Sequence, residues 1–203
     1  MKREKITSKN ENFIGCWKME NLNLCDQIVD FFEKNPQLQN KGTVAEGIND
    51  KIKKTTDITI DPLDLKKDKY KIFNDYFEEL FKCYKDYKEQ WPFLSQTVKT
   101  LDIPSFNIQR YNPGDHFSFT HCERDTTKYM HRVFAWMTYL NDINSKNGNT
   151  NFTHYDVKIA PEKGKTLIWP AEWTHAHTGE ILKSGKKYIV TGWMHFSPSA
   201  NNF

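Results

Sequence analysis

Two histidines and one carboxylate could share a metal ion in this sequence. His121 and Glu123 are two residues apart, and on an extended segment residues i and i+2 point to the same face. His175 and His177 follow far downstream. Two histidines with one carboxylate can occupy one face of an iron ion and leave adjacent positions open, as in non-haem Fe(II) oxygenases. From the residues alone, either downstream histidine could complete the set, and Asp125 could replace Glu123.

A lysine stands at the start of an apolar, β-prone segment late in the chain. Lys187 precedes residues 188–193, and lysines are rarely buried without a partner. The position makes sense if an anion pairs with the ammonium group. That anion could be the far carboxylate of a 2-oxo acid whose other end binds the metal.

Short motifs occur in a fixed order within residues 105–196, nearly half the chain. In one-letter code they include RYNPG at 110–114, HCE at 121–123, NGNTNF at 147–152, PEKG at 161–164, WPA at 169–171 and GKKY at 185–188. Together they resemble the prolyl-4-hydroxylase-like branch of the Fe(II)/2-oxoglutarate-dependent dioxygenase superfamily. The resemblance implies a double-stranded β-helix, a jelly-roll of two sheets with the iron at its mouth.

The resemblance also implies which downstream histidine binds iron. In the family, the second histidine ligand lies ten residues before the basic residue that holds 2-oxoglutarate. When Lys187 is that basic residue, the ligand is His177 and not His175. His175 is then a neighbour that could hydrogen-bond near the site.

The carboxylate ligand departs from the family pattern. Aspartate is usual, and Glu123 is one methylene longer; Asp125 remains the alternative. The implied metal ligands are therefore His121, Glu123 and His177, and Lys187 completes the predicted catalytic set.

Further site residues are implied by matching positions in the family. Tyr111 matches a tyrosine whose hydroxyl often contacts 2-oxoglutarate in the family, so we expect Tyr111 and Lys187 to bind this co-substrate. Arg132, Trp193 and His195 match residues that lie near the substrate in relatives acting on peptidyl proline. We therefore expect these three to bind substrate.

The implied activity is that of a dioxygenase that uses Fe(II), 2-oxoglutarate and O2, with ascorbate as reductant. It would hydroxylate a C–H bond, most simply of a prolyl residue in a peptide or protein, and release succinate and CO2. One alternative is the same chemistry on a free amino acid or another small molecule. A second alternative is a non-catalytic, cupin-like module in which His175, His177 and Glu123 hold a metal such as zinc; it would have no need of Lys187.

The elements that position these residues change character along the chain. Helical periodicity predicts a helix over 22–32, stopped by Asn35-Pro36, and a second with an apolar stripe over 72–84 that ends at Trp91-Pro92. Residues 37–62 are expected to form an irregular segment, with a short β-prone stretch at 55–60, that could line the site. The β-prone stretches are 106–111, 132–140, 165–169 and 187–193. We predict an α+β, mainly β fold, in which N-terminal helices pack on one sheet of the jelly-roll.

The expected organisation is a single domain over residues 1–203. A helical N-terminal part at 13–102 would precede a jelly-roll catalytic core at 103–196, and the polar residues 1–12 are expected to fray.

Composition excludes several classes of protein. The net charge of +3 is too weak to indicate a nucleic-acid partner, and four scattered cysteines do not form a disulfide framework. The N-terminus lacks the apolar region of a signal peptide, and no apolar run is long enough for a membrane helix. We expect a cytoplasmic protein that acts on a peptide or protein and binds neither nucleic acid nor membranes, with no prediction of oligomeric state.

Overall fold

The computed structural model describes residues 1–8, 11–45, 47–143 and 147–197. The strands are β1 (Lys2–Arg3), β2 (Gly15–Lys18), β3 (Asn40–Lys41), β4 (Lys53–Lys54), β5 (Thr56–Ile60), β6 (Leu101–Asp102), β7 (Phe106–Tyr111), β8 (His116–His121), β9 (Arg132–Tyr139), β10 (Thr150–Phe152), β11 (Val157–Ile159), β12 (Lys165–Pro170), β13 (His177–Gly179) and β14 (Lys187–Phe196). The α-helices are α1 (Asn23–Lys34), α2 (Ile72–Gln90) and α3 (Phe93–Thr97).

Two antiparallel sheets build the jelly-roll. The larger has the order β1-β2-β12-β9-β14-β7-β5-β3, with β6 paired to β14, and the smaller has the order β11-β10-β13-β8-β4. Apolar side chains from both sheets, such as Met137 and Leu167 of the larger and Phe152 of the smaller, form one inner core. The predicted fold class is confirmed.

The helices cover the outer face of the larger sheet. Side chains alternate along β9, so that Trp136 packs outward while Met137 faces the inner core. Helix α2 presents Phe73 and Tyr76 to that outer face, and the Tyr76 and Trp136 rings lie 5.9 Å apart. Both predicted helices are present, and α2 ends at Gln90, next to the stop predicted at Trp91-Pro92. Among the described residues, no helix combines the length and apolarity needed to span a bilayer.

The N-terminal part that we predicted to be helical also supplies strands to both sheets. Strands β2, β3 and β5 join the larger sheet and β4 pairs with β8 of the smaller one. Strand β1 pairs with β2, so Lys2 and Arg3 are held and not frayed. These short strands form by pairing with strands that are far away in the sequence. The local pattern of apolar residues does not indicate such pairing.

Candidate metal centre

Neighbouring strands of the smaller sheet bring the two histidines together. His121 ends β8 and His177 begins β13, and the two residues are paired directly across these strands. Their ring centroids are 4.4 Å apart. Glu123 follows β8, and its backbone N–H donates to the Ala171 carbonyl at 3.1 Å, which fixes the chain just beyond the strand.

One donor atom from each of His121, Glu123 and His177 lies within 4.8 Å of the other two. Glu123 Oε1 is 3.8 Å from His121 Nε2 and 3.4 Å from His177 Nε2. Two ligand atoms at right angles and about 2.1 Å from one metal ion would be roughly 3 Å apart. The three side chains therefore converge at nearly the separation that a shared ion requires.

Both imidazoles are oriented for metal binding by backbone carbonyls. His121 Nδ1 lies 2.9 Å from the Phe119 carbonyl, and His177 Nδ1 lies 2.9 Å from the His175 carbonyl. A carbonyl can only accept, so each Nδ1 carries the proton and each Nε2 keeps a lone pair with which to bind a metal. Burial, and next the neighbouring His177, lower the pKa of His121 to about 4. His121 is therefore neutral at pH 7, as a ligand must be.

The two oxygens of the Glu123 carboxylate have different partners. Oε1 faces the histidines, while Oε2 accepts a hydrogen bond from the Trp193 indole N–H at 2.5 Å. Burial alone would raise the pKa of this carboxyl, but His177, His121 and the indole N–H together lower it to about 2. The carboxylate is ionised and presents one oxygen to the place where a metal would bind.

Arg132 connects Trp193 to the loop that carries Glu123. Its guanidinium lies between the rings of Tyr129 and Trp193, at 4.0 and 3.8 Å from their centroids, and Nη1 donates to the Glu123 carbonyl at 2.9 Å. Arg132 and Trp193, expected from the sequence to bind substrate, thus both contact Glu123. They also line the cavity, so the two roles are compatible.

His195, expected from the sequence to bind substrate, lies elsewhere. Its ring packs edge-on against His131 at 4.3 Å, its backbone pairs with Asp102 of β6 and Arg132 of β9, and it is not among the described residues that line the cavity. The register of β14 and β9 shifts here, because Met194 pairs with Phe134 and His195 with Arg132, so that Val133 of β9 is the extra residue.

Trp193→Phe is expected to weaken divalent-metal binding by about 10- to 100-fold, the usual cost of losing a partner of a metal ligand. Phenylalanine retains a ring beside Arg132 but lacks the N–H that holds Glu123 Oε2. Isothermal titration with Co²⁺ measures the effect. Trp173→Phe is the matched control, because Trp173 is exposed and its ring packs against His154. Equal Co²⁺ affinity in Trp193→Phe and wild type would contradict this role.

A buried ammonium group lies in the same cavity. Lys187 is 2 % exposed; its Nζ donates to the Gly148 carbonyl at 2.8 Å and lies 4.2 Å from the centroid of the Tyr111 ring. Among the residues described, no carboxylate forms an ion pair with it. Burial lowers the pKa of Lys187 to about 8, opposed by the charge of Glu180. The site can therefore receive an anion, as the sequence predicted.

The other sequence candidates have the following places. The Tyr111 hydroxyl donates to Gln109 Oε1 at 2.9 Å and its ring lines the cavity beside Lys187. Asp125 lines the cavity but is outside the cluster of donor atoms. His175 is buried, with Nδ1 3.0 Å from the Thr174 hydroxyl, and contributes its backbone carbonyl to the orientation of His177.

A cavity of about 710 Å³ contains all three donor residues and Lys187. Residues of the segment 37–62 line part of it, as expected. Sequence reasoning missed a buried ion pair in this segment, in which Lys53 Nζ lies 2.7 Å from Asp57 Oδ2. An aspartate in a β-prone stretch is unusual, and that was the available signal.

The arrangement supplies three metal ligands on one side of a cavity and a cation farther along it. A molecule with two acidic ends could chelate the metal at one end and pair with Lys187 at the other. The donor set fits a divalent transition metal such as iron.

Comparisons with known proteins agree with this geometry. Residues 106–195 match the model of the family described as "2OG-Fe(II) oxygenase superfamily". The match confirms the resemblance that the sequence motifs indicated. A search of curated proteins found no match.

Solved structures similar to this chain include three prolyl hydroxylases. A Pseudomonas putida prolyl-4-hydroxylase has a TM-score of 0.71 at 13% identity, covering 91% of this chain and 93% of that one. A Trichoplax adhaerens prolyl hydroxylase in complex with a hypoxia inducible factor peptide has a TM-score of 0.70 at 14% identity, covering 92% and 85%. A viral collagen prolyl hydroxylase from Paramecium bursaria Chlorella virus-1 has a TM-score of 0.65 at 16% identity, covering 90% and 96%. At these identities the likeness shows the fold.

Proposed function

We propose that this chain, whose residues 106–195 match the 2OG-Fe(II) oxygenase superfamily, is an Fe(II)- and 2-oxoglutarate-dependent dioxygenase. Its proposed reaction is the hydroxylation of a prolyl residue in a peptide or protein. The observation that carries the proposal is the pairing of two features in one cavity. These are the converging donors of His121, Glu123 and His177 and the buried Lys187, which has no carboxylate partner among the described residues.

Each residue has a defined part in this proposal. His121, Glu123 and His177 would hold iron, and Lys187 would pair with the distal carboxylate of 2-oxoglutarate beside Tyr111. The bound iron, with O2 and the 2-oxo acid, supplies the oxidising chemistry that the protein lacks. Overall, 2-oxoglutarate, O2 and R–H would give succinate, CO2 and R–OH.

The protein's own contribution is placement and exclusion of water. The carbonyls of Phe119 and His175 keep both Nε2 atoms directed at the metal position. The Trp193 N–H leaves one Glu123 oxygen for the metal. Apolar side chains of the inner core, including Trp169 and Met137, line part of the cavity and would help to exclude water there.

A peptide substrate is supported by the cavity and by the relatives. A volume of about 710 Å³ lies within the roughly 300–1,000 Å³ of sites that hold a drug-sized ligand, so 2-oxoglutarate and one substrate side chain fit together. The Trichoplax relative is a prolyl hydroxylase in complex with a peptide. A cytoplasmic location is part of the proposal, because all four cysteines are free and thiols persist in a reducing compartment.

The test is succinate formation from 2-oxoglutarate by purified protein in air, with Fe(II) and ascorbate, with and without a proline-rich peptide. We expect slow succinate formation alone and faster formation with the peptide. If the peptide has no effect but a free amino acid raises turnover, the reaction is that of a 2-oxoglutarate-dependent dioxygenase and its substrate is a small molecule. Absence of turnover from iron-loaded protein would favour the non-catalytic metal-binding module.

A further inference from the structure

The side-chain amide of Asn107, on strand β7 next to β14, offers the cavity a hydrogen-bond donor that has no partner among the described residues. Asn107 on β7 is half-buried and pairs across the sheet with Thr59 of β5 and Thr191 of β14. All three side chains line the cavity. These three residues run from the half-buried Thr191 to the exposed Thr59. A bound peptide could therefore extend along them out of the cavity.

The Thr59 hydroxyl fixes the orientation of the Asn107 amide. It donates to Asn107 Oδ1 at 2.7 Å, which uses the oxygen of the amide and sets the direction of its nitrogen. Within the described part of the chain, that nitrogen donates to no other atom. Its two N–H groups are therefore available to a ligand.

The neighbouring donors of this floor are already used within the fold. The donor–acceptor pairs are Gln109 with Asp57, Tyr111 with Gln109, Thr191 with the Trp136 carbonyl, and Trp193 with Glu123. Among the described residues of β5, β7 and β14 that line the cavity, the Asn107 amide nitrogen is therefore the neutral side-chain donor that has no partner.

Asn107 also lies close to the metal-binding residues. Thr191, its cross-strand partner, is two residues from Trp193, whose indole contacts Glu123. A two-residue step along a strand is about 6.7 Å and neighbouring strands are about 4.8 Å apart. Asn107 is therefore roughly 8 Å from Trp193 in the plane of the sheet, which two or three residues of extended chain can span.

The chemistry of a proline-containing peptide suits such a donor. Proline has no backbone N–H, so a segment rich in proline carries more carbonyl acceptors than donors. We propose that Asn107, held by Thr59, donates a hydrogen bond to a main-chain carbonyl of the peptide substrate near the residue that is hydroxylated. This inference rests on the proposed function and names a contact that selects its substrate.

The test compares Asn107→Ala and Thr59→Val with wild type in the succinate assay. The probes are an acetylated and amidated peptide of alternating proline and alanine, and free L-proline, whose carboxylate could accept the same bond. We expect Asn107→Ala to raise the KM for the blocked peptide about tenfold, the effect of roughly one lost hydrogen bond. Thr59→Val should raise it about threefold, because the amide then loses its fixed direction.

Asn40→Ala is the matched control, since Asn40 also lines the cavity but its amide nitrogen already donates to the Leu38 carbonyl at 3.0 Å. Its peptide KM should equal that of wild type. In all variants the dissociation constant of 2-oxoglutarate, measured by tryptophan fluorescence without O2, should stay within about twofold, because the lost contact is to the substrate.

Equal peptide KM in Asn107→Ala and wild type would overturn the inference and leave the proposed function intact. Stimulation by L-proline but not by the blocked peptide would overturn the peptide-carbonyl contact. A wild type that forms succinate but responds to neither probe would overturn both this contact and the prolyl substrate. A wild type that forms no succinate at all would instead overturn the oxygenase itself.

Discussion

His177→Ala is expected to abolish tight metal binding and succinate formation, whereas His175→Ala should retain both at a measurable level. His177 Nε2 faces Glu123 Oε1 at 3.4 Å, so its removal takes away one of three donors. Because losing even a neighbour of a metal ligand costs about 10- to 100-fold, we expect a loss beyond about 100-fold. His175→Ala keeps the backbone carbonyl that orients His177.

The two variants form a matched pair, with the same substitution at two buried histidines two residues apart. Co²⁺ titration and succinate formation are the measurements, and a thermal melt checks folding. Loss of the buried His175 ring should cost about 1–3 kcal/mol of stability without removing a donor. Retained Co²⁺ binding in His177→Ala together with its loss in His175→Ala would show that we have chosen the wrong histidine.

Lys187→Ala is expected to raise the dissociation constant of 2-oxoglutarate about 100-fold while Co²⁺ affinity persists. The ammonium is buried, and among the described residues its hydrogen bond is to the Gly148 carbonyl. Removing one partner of a buried ion pair costs about 3 kcal/mol or more, which is about 100-fold in affinity. Binding is measured by tryptophan fluorescence in the absence of O2.

The neighbouring Lys186 is exposed, so Lys186→Ala is the control and should bind 2-oxoglutarate as wild type does. An unchanged dissociation constant in Lys187→Ala would remove this lysine from the co-substrate site.

The Lys187 ammonium should make the affinity for 2-oxoglutarate depend on pH. Burial lowers the pKa of Lys187 in the free protein to about 8, so the ammonium loses its proton as pH rises through that value. We expect 2-oxoglutarate affinity to fall between about pH 7 and 9. Lys187→Arg should not show this fall, because a guanidinium stays charged over the range. A pH-independent affinity in wild type would argue against the charged lysine as the partner.

The parts of the site that could be predicted depend on local relations in the chain. The i, i+2 spacing places His121 and Glu123 on one face wherever the segment is extended. Lys187 was conspicuous because it opens an apolar strand. Tyr111 was assigned through a motif of consecutive residues, and it lines the cavity beside Lys187.

The contacts of Arg132, Trp193 and His195 were not predictable in this way. Family position suggested substrate for all three. Cross-strand packing places the first two against Glu123, whereas the His195 ring packs against His131 and is not among the described residues that line the cavity.

By itself, the sequence determined the fold class, the two helices, the main strands and the residue types available for metal and anion binding. Periodicity and spacing report the helices, the strands and the residue types, since these depend on neighbours in the chain, whereas the jelly-roll was implied by the family resemblance. The tertiary structure decided how the donors are used. Pairing of β8 with β13 brings His121 to His177, and pairing of β4 and β5 with distant strands builds the cavity wall. Such contacts join residues far apart in sequence, so they exist only once the sheets have closed.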